Sequence, residues 1–351
     1  MRPPPLLAMR LARQQITRHD FQTVGEVAAW MGATQAQDYA GAKWSLGLRL
    51  PGVADADIER AIADKAIVRT TSLRGTLHFL AAGDVRWVLK LLAPRVMPRF
   101  AGACRAAGLT ESEFAKSAAA MVRALEGGCC LSRTELLTAV EAGGVSAAGT
   151  RPNYLLYRAA LDGVICHATR RGKEFTFALL DEWSPGVCAL DGEEASAELA
   201  RRYFQSHGPA TIQDFARWSG QSLTASKAAL GTIERELERV TIEGSDYWMS
   251  PSKTESSTRE EAAYLLPGFD EYSLGYADRS AVIPSEQMEA LTPKNGIFTP
   301  LVVYEGRAIG TWGRTVEKGA MVVETKPFTV WSENETRAVA VAVEQYCGFH
   351  R

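Results

Sequence analysis

The hydrophobic positions of the central segment repeat first with a helical period and then with the period of a strand. Ser132 and Glu135 have the three-residue spacing of a capping box, and the apolar residues after them recur on one helical face. A second helix is predicted from about Pro152, because proline suits a first helical turn. Two alternating segments follow, "GVICHAT" and "KEFTFAL", joined by "RRG". Two helices and a basic-tipped hairpin predict a winged helix.

Two further copies of this pattern are predicted, although they are too dissimilar to form a strict sequence repeat. The copy near the N-terminus is predicted to contain helices over 23–37, 39–48 and 55–64 and a hairpin over 67–80. The copy after the central one is predicted to contain a helix capped by Thr211, a helix over 224–238 and strands within 239–250. Three adjacent small domains are therefore expected.

The end of the chain has a different pattern. Residues 250–262 are polar and predict a linker or an exposed loop. Short alternating strands with glycine turns then predict a small β-barrel or an open sheet, packed with a final helix over 334–346. The predicted fold class is α+β, with three tandem winged helices followed by a small C-terminal β-barrel. The predicted domains are 1–98, 99–185, 186–258 and 259–351.

The composition excludes some classes of protein and leaves others open. The chain of 351 residues is 46% hydrophobic and 23% charged, with a formal net charge of −2. That charge does not by itself indicate nucleic-acid binding, but basic residues cluster locally. The 6 cysteines include no Cys-x-x-Cys, and the 5 histidines are scattered, so no metal and no cofactor is predicted. We expect a cytoplasmic protein with reduced thiols and no signal peptide or membrane span.

Five stretches, in order, carry a resemblance to a known family: "TQAQD" at 34–38, "LRGTLHFL" at 73–80, "HGPATIQDFARWSG" at 207–220, "LLPGFDEYSLGYADRS" at 265–280 and "NGIFTPLVVYEGRAIGTW" at 295–312. The chain resembles the AlkZ-like winged-helix DNA glycosylases, which include the YcaQ type. The resemblance implies tandem winged helices and a β-barrel around a channel for duplex DNA. It also implies excision of alkylated purines by hydrolysis alone and, in some members, unhooking of interstrand crosslinks.

The stretch "QAQD" holds the candidate catalytic residues. The family signature is a glutamine, an apolar residue and a second glutamine or an aspartate, which implies that Gln35 and Gln37 are catalytic. Asp38 is either the cap of the next helix or a rival base. In a helix, positions 35 and 37 would diverge by about 200°, whereas in an extended segment they would share one face. The sequence leaves this choice open.

Several polar residues are candidates for contact with DNA, because they lie on predicted hairpin turns or on the second helix of the central winged helix. The candidates are Arg74, His78, Arg151, Asn153, Arg170, Arg171 and Lys173. For the basic wing tip, a solvated turn is an equal alternative to phosphate contact. For His78, a structural histidine inside the hairpin is the stronger alternative.

A dense polar stretch near 270 offers a further set of residues. Asp270, Glu271, Tyr272 and Arg279 either support the wall of an active site or brace a domain junction with an acid–arginine network. Lys43 could form a Schiff base with the sugar, although the resemblance implies hydrolysis alone. Trp44 is the tryptophan expected to be exposed near Gln37.

Two classes of function compete for this sequence. The first is a monofunctional DNA glycosylase that acts on duplex DNA carrying N7-alkylguanine or N3-alkyladenine. Bulky adducts and interstrand crosslinks are the further candidate substrates. The second is a non-enzymatic winged-helix transcriptional regulator, which would show several base-reading side chains and a symmetric dimer. No dimerising heptad is visible, and we therefore expect a monomeric enzyme whose partner is double-stranded DNA.

Overall fold

A computed structural model describes residues 5–186, 190–242, 244–251, 261–291, 296–317 and 320–351. The α-helices are α1 (Pro5–Arg13), α2 (Val24–Met31), α3 (Tyr39–Leu48), α4 (Asp55–Ala63), α5 (Val85–Val96), α6 (Ala101–Ala106), α7 (Glu111–Leu125), α8 (Arg133–Ala142), α9 (Arg151–Leu161), α10 (Leu180–Trp183), α11 (Gly192–His207), α12 (Ile212–Ser219), α13 (Leu223–Ile233), α14 (Glu271–Leu274), α15 (Ser285–Leu291) and α16 (Glu333–Phe349). Short 3₁₀ turns cover Leu73–Gly75, Ala82–Asp84, Met97–Arg99 and Glu234–Glu236.

The strands alternate with these helices, so the α+β class expected from the sequence is confirmed. They are β1 (Thr34–Gln35), β2 (Ile67–Thr71), β3 (Leu77–Ala81), β4 (Leu131–Ser132), β5 (Ile165–His167), β6 (Thr176–Leu179), β7 (Glu238–Ile242), β8 (Ser245–Met249), β9 (Ala263–Leu266), β10 (Leu301–Tyr304), β11 (Arg307–Glu317) and β12 (Ala320–Pro327). They form a six-stranded, a four-stranded and a two-stranded sheet.

The six-stranded sheet has the order β1-β3-β2-β5-β6-β4. Its strands come from the first two predicted winged helices, and they meet where β2 pairs with β5 through Arg69 and His167. The two hairpins therefore share one sheet. The number of winged helices and the four-domain division stay predictions.

The predicted helix over 23–37 is wrong in its second half. Helix α2 ends at Met31, because Gly32 adopts a φ of 73° and leaves the helical conformation. The chain then pairs with β3, so that Thr34 lies opposite Phe79 and Gln35 opposite His78. The segment at Gln35 is therefore extended and not helical, which is one of the two alternatives that the sequence left open.

Most other predicted elements near the site are confirmed. Helix α3 has its predicted bounds, and α8 begins with the predicted capping box of Ser132 and Glu135. Thr211 caps α12 as expected, accepting a hydrogen bond from the Asp214 backbone N–H. The hairpin of β2 and β3 turns at Leu73–Gly75, where the turn was predicted.

Within the described ranges, the C-terminal strands form an open sheet, which is the second of the two expected arrangements, and they do not close into the barrel of the predicted fold class. Their order is β12-β11-β10-β9, all antiparallel, with α16 packed against β9 and β12. Most of the predicted linker, 252–260, lies outside the described residues.

A buried ion pair connects this C-terminal part to the first helices. Arg49, just after α3, binds both carboxylate oxygens of Asp270, at 2.8 and 2.9 Å, and both side chains are 0% exposed. Ser45 adds a hydrogen bond of 2.6 Å to the same carboxylate. Because removal of one partner leaves an uncompensated buried charge, the pair fixes α3 against the segment before α14.

Three further expectations concern the exposure of Trp44, the state of the cysteines and a membrane span. Trp44 is buried and donates its indole N–H to the Leu265 carbonyl at 2.6 Å, so its predicted exposure is wrong. The five cysteines in the described ranges are free thiols. Within those ranges, the helices are too short or too polar to cross a membrane.

Candidate active site

Gln35 lies at the end of β1, next to a buried carboxylate. Its side chain is only 7% exposed. Its backbone N–H donates a hydrogen bond of 2.9 Å to Glu271 Oε1, which joins residues 236 positions apart in the sequence. Its side-chain oxygen faces the guanidinium of Arg74, with 3.1 Å between Arg74 Nη2 and Gln35 Oε1. The residue is thus held at both its main chain and its side chain.

Arg74 lies in the turn between β2 and β3 and points inward. Its φ of 57° is in the left-handed region, which costs a non-glycine residue about 1–2 kcal/mol. Besides Gln35, its guanidinium donates to the carbonyl of Trp218 and approaches His78 Nε2 at 3.5 Å. This placement does not favour the expected contact of Arg74 with DNA, because its guanidinium donates to acceptors inside the protein.

Glu271 opens the short helix α14 and is 0% exposed. Besides the Gln35 N–H, it accepts the indole N–H of Trp218, with 2.9 Å between Trp218 Nε1 and Glu271 Oε2. His207 Nε2 lies 3.6 Å from the same oxygen. Burial alone would raise the pKa of Glu271, but the nearby His207 and Arg74 hold it down at about 2. An anionic carboxylate therefore lies directly behind Gln35.

Gln37 and Asp38 follow on the outer side of this site, and both are exposed. Gln37 Oε1 accepts a long hydrogen bond of 3.4 Å from the Leu77 backbone N–H. Asp38 occupies the N-cap position of α3, yet its side chain makes no capping hydrogen bond, so the predicted capping contact is wrong. Its carboxylate instead lies 3.7 Å from Arg314 Nη2 on β11. Asp38 stays a rival base to the glutamines.

His78 is buried within β3 and cannot reach DNA from this position. Its side chain is 0% exposed, with 2.9 Å between Nδ1 and the Thr76 carbonyl oxygen. A carbonyl only accepts, so Nδ1 carries the proton and Nε2 is the acceptor that faces Arg74. Burial, together with Arg74, lowers the pKa of His78 to about 3. The histidine is therefore a neutral structural group, as the alternative interpretation expected.

The polar stretch near 270 divides into different roles. Asp270 caps α14 and forms the buried pair with Arg49, which is the bracing network considered from the sequence. Tyr272 is buried and donates to the Gly306 carbonyl at 2.9 Å. Arg279 is half-buried, with its guanidinium 5.3 Å from the centre of the Phe298 ring. Of these residues, Glu271 makes the hydrogen bond to Gln35.

The basic wing tip is partly engaged by acidic residues. Arg170 binds Glu59 at 2.7 Å and lies over the Tyr39 ring. Arg171 is exposed and pairs with Glu135 at 2.9 Å. Lys173 is exposed at the tip itself. The tip residues 171–173 therefore face solvent, while Arg170 is half-buried against Glu59 and Tyr39.

The two candidates on α9 also differ from each other. Arg151 is an internal bracing residue that binds Glu113 and donates to the carbonyls of Ser146 and Ala107. Asn153 is exposed and accepts a hydrogen bond of 2.7 Å from Arg133. Asn153 is exposed enough to contact DNA, whereas the internal hydrogen bonds of Arg151 disfavour such a contact.

Lys43 does not have the surroundings of a Schiff-base lysine. Its Nζ is paired with Asp55 at 2.6 Å and with Glu59 at 2.7 Å, and the side chain is 3% exposed. A catalytic lysine would instead lie in an apolar pocket or beside another cation. Within the described ranges, no three His, Cys, Asp or Glu side chains group as metal ligands.

Two residues next to Glu271, the carboxylate behind Gln35, were not identified from the sequence. Neither Trp218 nor His207 was singled out, although both lie next to Glu271. Both lie in "HGPATIQDFARWSG", one of the stretches that carries the family resemblance. That stretch was the available signal, because a motif shared with a catalytic family can hold the groups around its catalytic residues.

Comparisons with known proteins agree with the resemblance. The family model for AlkZ-like DNA glycosylases matches residues 28–349, a range that includes Gln35, Gln37 and Glu271. The interstrand DNA cross-link repair glycosylase of Streptomyces sahachiroi is 27% identical over 328 residues, which cover 88% of this chain and 86% of that protein. The solved structure of Streptomyces sahachiroi DNA glycosylase AlkZ matches with a TM-score of 0.80 and 26% identity, covering 99% of this chain and 96% of that one. The chain therefore belongs to the AlkZ-like family of DNA glycosylases.

Proposed function

We propose that this glycosylase hydrolyses the N-glycosidic bond of N7-alkylguanine and N3-alkyladenine in duplex DNA, with Gln35 and Gln37 as its catalytic residues. The observation that carries the proposal is the position of Gln35 between Arg74 and the buried anion of Glu271, with the exposed amide of Gln37 two residues further along the chain. Family membership indicates the class of reaction, and these residues provide the hydrogen bonds and the charge that the reaction needs.

The reaction requires little acid catalysis. An alkylated purine carries a positive charge, so its bond to C1′ is already weak. When the C1′–N9 bond breaks, its electron pair goes to the base, which leaves neutral. Water then forms a bond to C1′ and loses a proton to solvent, which leaves an abasic site. The protein has to hold this water and stabilise a cationic sugar, and preorganised dipoles and charges do both.

The electrostatics of the site suit a cationic transition state. Glu271 is anionic at neutral pH, since its pKa is about 2, and it lies behind the main chain of Gln35. A fixed negative charge in a buried site acts more strongly on a nearby sugar cation than it would in water. Gln37 is exposed and has a spare lone pair on its amide oxygen, so it is placed to accept a hydrogen bond from water.

We further propose that bulky adducts and interstrand crosslinks are among the substrates. The related protein of Streptomyces sahachiroi carries crosslink repair in its name. Gln37 and Asp38 are exposed beside the buried Gln35, so this side of the site can be approached by a nucleotide that cannot rotate into a closed pocket. Contact of the exposed tip 171–173 with phosphates, the monomeric state and the cytoplasmic location stay predictions.

The test is a panel of duplex substrates containing 7-methylguanine, 3-methyladenine, a bulky N7 adduct or an N7 crosslink. Free base is measured by mass spectrometry, abasic sites by alkaline cleavage, and covalent adducts by borohydride trapping. We expect base release from the monoadducts and the crosslink, without a trapped protein–DNA adduct. DNA binding without release from any substrate would contradict the proposal and favour the regulator.

A further inference from the structure

Arg74 determines the orientation of the Gln35 side-chain amide. The distance of 3.1 Å joins Arg74 Nη2 to the side-chain oxygen of Gln35. A guanidinium has only donors, so the atom facing it must be the amide oxygen and not the amide nitrogen. The NH₂ group of Gln35 is therefore turned away from Arg74.

The charge on Arg74 also changes what the amide can do. A cation hydrogen-bonded to an amide oxygen withdraws electron density, so the oxygen becomes a weaker acceptor and the NH₂ group a stronger donor. At Gln37, the backbone N–H of Leu77 is neutral and lies 3.4 Å from the oxygen, so this polarisation is weak. Two residues of the same type thereby acquire different properties.

We propose that Arg74 is a positioning residue that fixes Gln35 as a hydrogen-bond donor toward the DNA and leaves Gln37 to hold the water. The inference rests on the proposed function and assigns a separate task to each amide. The donor can act on an acceptor atom of the departing base, where the electron pair of the broken bond accumulates. The water loses its proton to solvent, as in the proposed reaction.

The surroundings of Arg74 restrict its side chain to this arrangement. Its guanidinium also donates to the Trp218 carbonyl, and its Cγ lies 3.2 Å from where a Cβ on Gly220 would be. On the next residue, the carbonyl of Gly75 accepts the Tyr157 hydroxyl at 3.2 Å. A non-glycine residue that keeps a left-handed backbone conformation beside a catalytic amide is a candidate for a functional constraint. The interpretation of Arg74 as a phosphate contact does not account for these internal contacts.

The experiment separates positioning from DNA binding. Single-turnover rates at saturating enzyme and dissociation constants are measured on duplex DNA with 7-methylguanine, for wild type, R74M, R74K, Q35A and the double variant Q35A/R74M. We expect R74M to slow base release by about 100-fold while DNA affinity changes less than about 3-fold, and R74K to recover part of the rate. The double variant should be no slower than Q35A, because the two residues act as a unit. R217M removes an exposed arginine next to Trp218 and serves as the matched control, with a rate near that of wild type.

Other results would overturn the assignment. A weaker affinity with an unchanged saturating rate in R74M would identify Arg74 as a DNA contact, and additive losses in the double variant would separate it from Gln35. Q35E gives a second test if R74M fails to fold, because its carboxylate can still pair with Arg74 but has no donor. We expect Q35E to be as slow as Q35A, and wild-type activity in Q35E would contradict a donor role. Inactivity of the wild type itself would instead refute the proposed function.

Discussion

Gln35 is held by two charged side chains of opposite sign. Arg74 binds its side-chain oxygen, and Glu271 binds its backbone N–H. A negative charge behind the amide and a positive charge beside it give the site a fixed polarity before DNA arrives. Such preorganisation requires no rearrangement during the reaction, and this is the general source of electrostatic catalysis.

His78 gives a residue-scale prediction about pH. Its pKa is about 3 in the folded protein, against an unperturbed value near 6.5, so the unfolded chain binds a proton that the folded one does not. Proton uptake by His78 on unfolding should therefore lower the unfolding free energy as pH drops below about 6.5, by about 2 kcal/mol between pH 7 and pH 5. His167, whose pKa is also lowered to about 3, adds a separate loss that remains in H78Q. Urea denaturation of wild type and H78Q at both pH values measures this difference.

The control for this experiment is Q22A, which alters an exposed side chain that does not titrate. Wild type and Q22A should lose stability equally on acidification, and H78Q should lose about 2 kcal/mol less. An equal loss in all three proteins would mean that His78 is not the neutral buried group described above. The comparison uses the change with pH, so any general destabilisation by the substitution cancels.

At the scale of elements, the short strand β1 and the turn before β3 determine the positions of Gln35 and Arg74, to which we assign the proposed catalytic and positioning roles. The sequence predicted a helix through Gln37, because apolar residues recur with a helical period up to Met31. A strand of two residues is too short to show alternation, so no local pattern could reveal it. By contrast, the turn at Leu73–Gly75 was predicted correctly, because glycine marks such turns locally.

Gly75 is the part of this turn that can be tested directly. Its φ is 82°, and an added Cβ would lie 2.0 Å from the Tyr157 hydroxyl oxygen. Gly149 has a φ of 62° with nothing within 4 Å, so G149A carries the backbone cost of about 1–2 kcal/mol without the collision. We expect G75A to be less stable than G149A by thermal denaturation, and to release 7-methylguanine more slowly because the turn carries Arg74. Equal stability and equal rates in the two variants would refute the close packing of Tyr157 against Gly75.

At the scale of the molecule, the site is assembled from distant parts of the chain. Gln35 and Arg74 belong to the first predicted unit, Trp218 to the third and Glu271 to the fourth. The family motif indicated the glutamines as candidates from sequence, because that signature is short and local. The contacts of Glu271 and Trp218 could not be predicted, since they join residues more than 50 positions apart without any periodic pattern.

The sheet that joins the first two units is another whole-molecule feature without a sequence signal. Strands β2 and β5 meet through a single pair, Arg69 and His167. Each hairpin was predicted from its own alternation, but pairing between hairpins depends on tertiary packing. The Arg69 side chain continues from this junction to the Ala36 carbonyl, with hydrogen bonds of 3.0 and 3.1 Å. The junction between the hairpins thus supports Ala36, the residue between the two glutamines proposed as catalytic.

The most direct test of the central claim is the single-turnover release of 7-methylguanine from duplex DNA by wild type, Q35A, Q37A and the double variant. Q22A, which alters an exposed glutamine away from the site, is the matched control. We predict that wild type and Q22A release the base at equal rates, and that the double variant is at least about 100-fold slower with unchanged DNA affinity. Release by the double variant at the wild-type rate would contradict the account, and the catalytic role would then pass to Asp38.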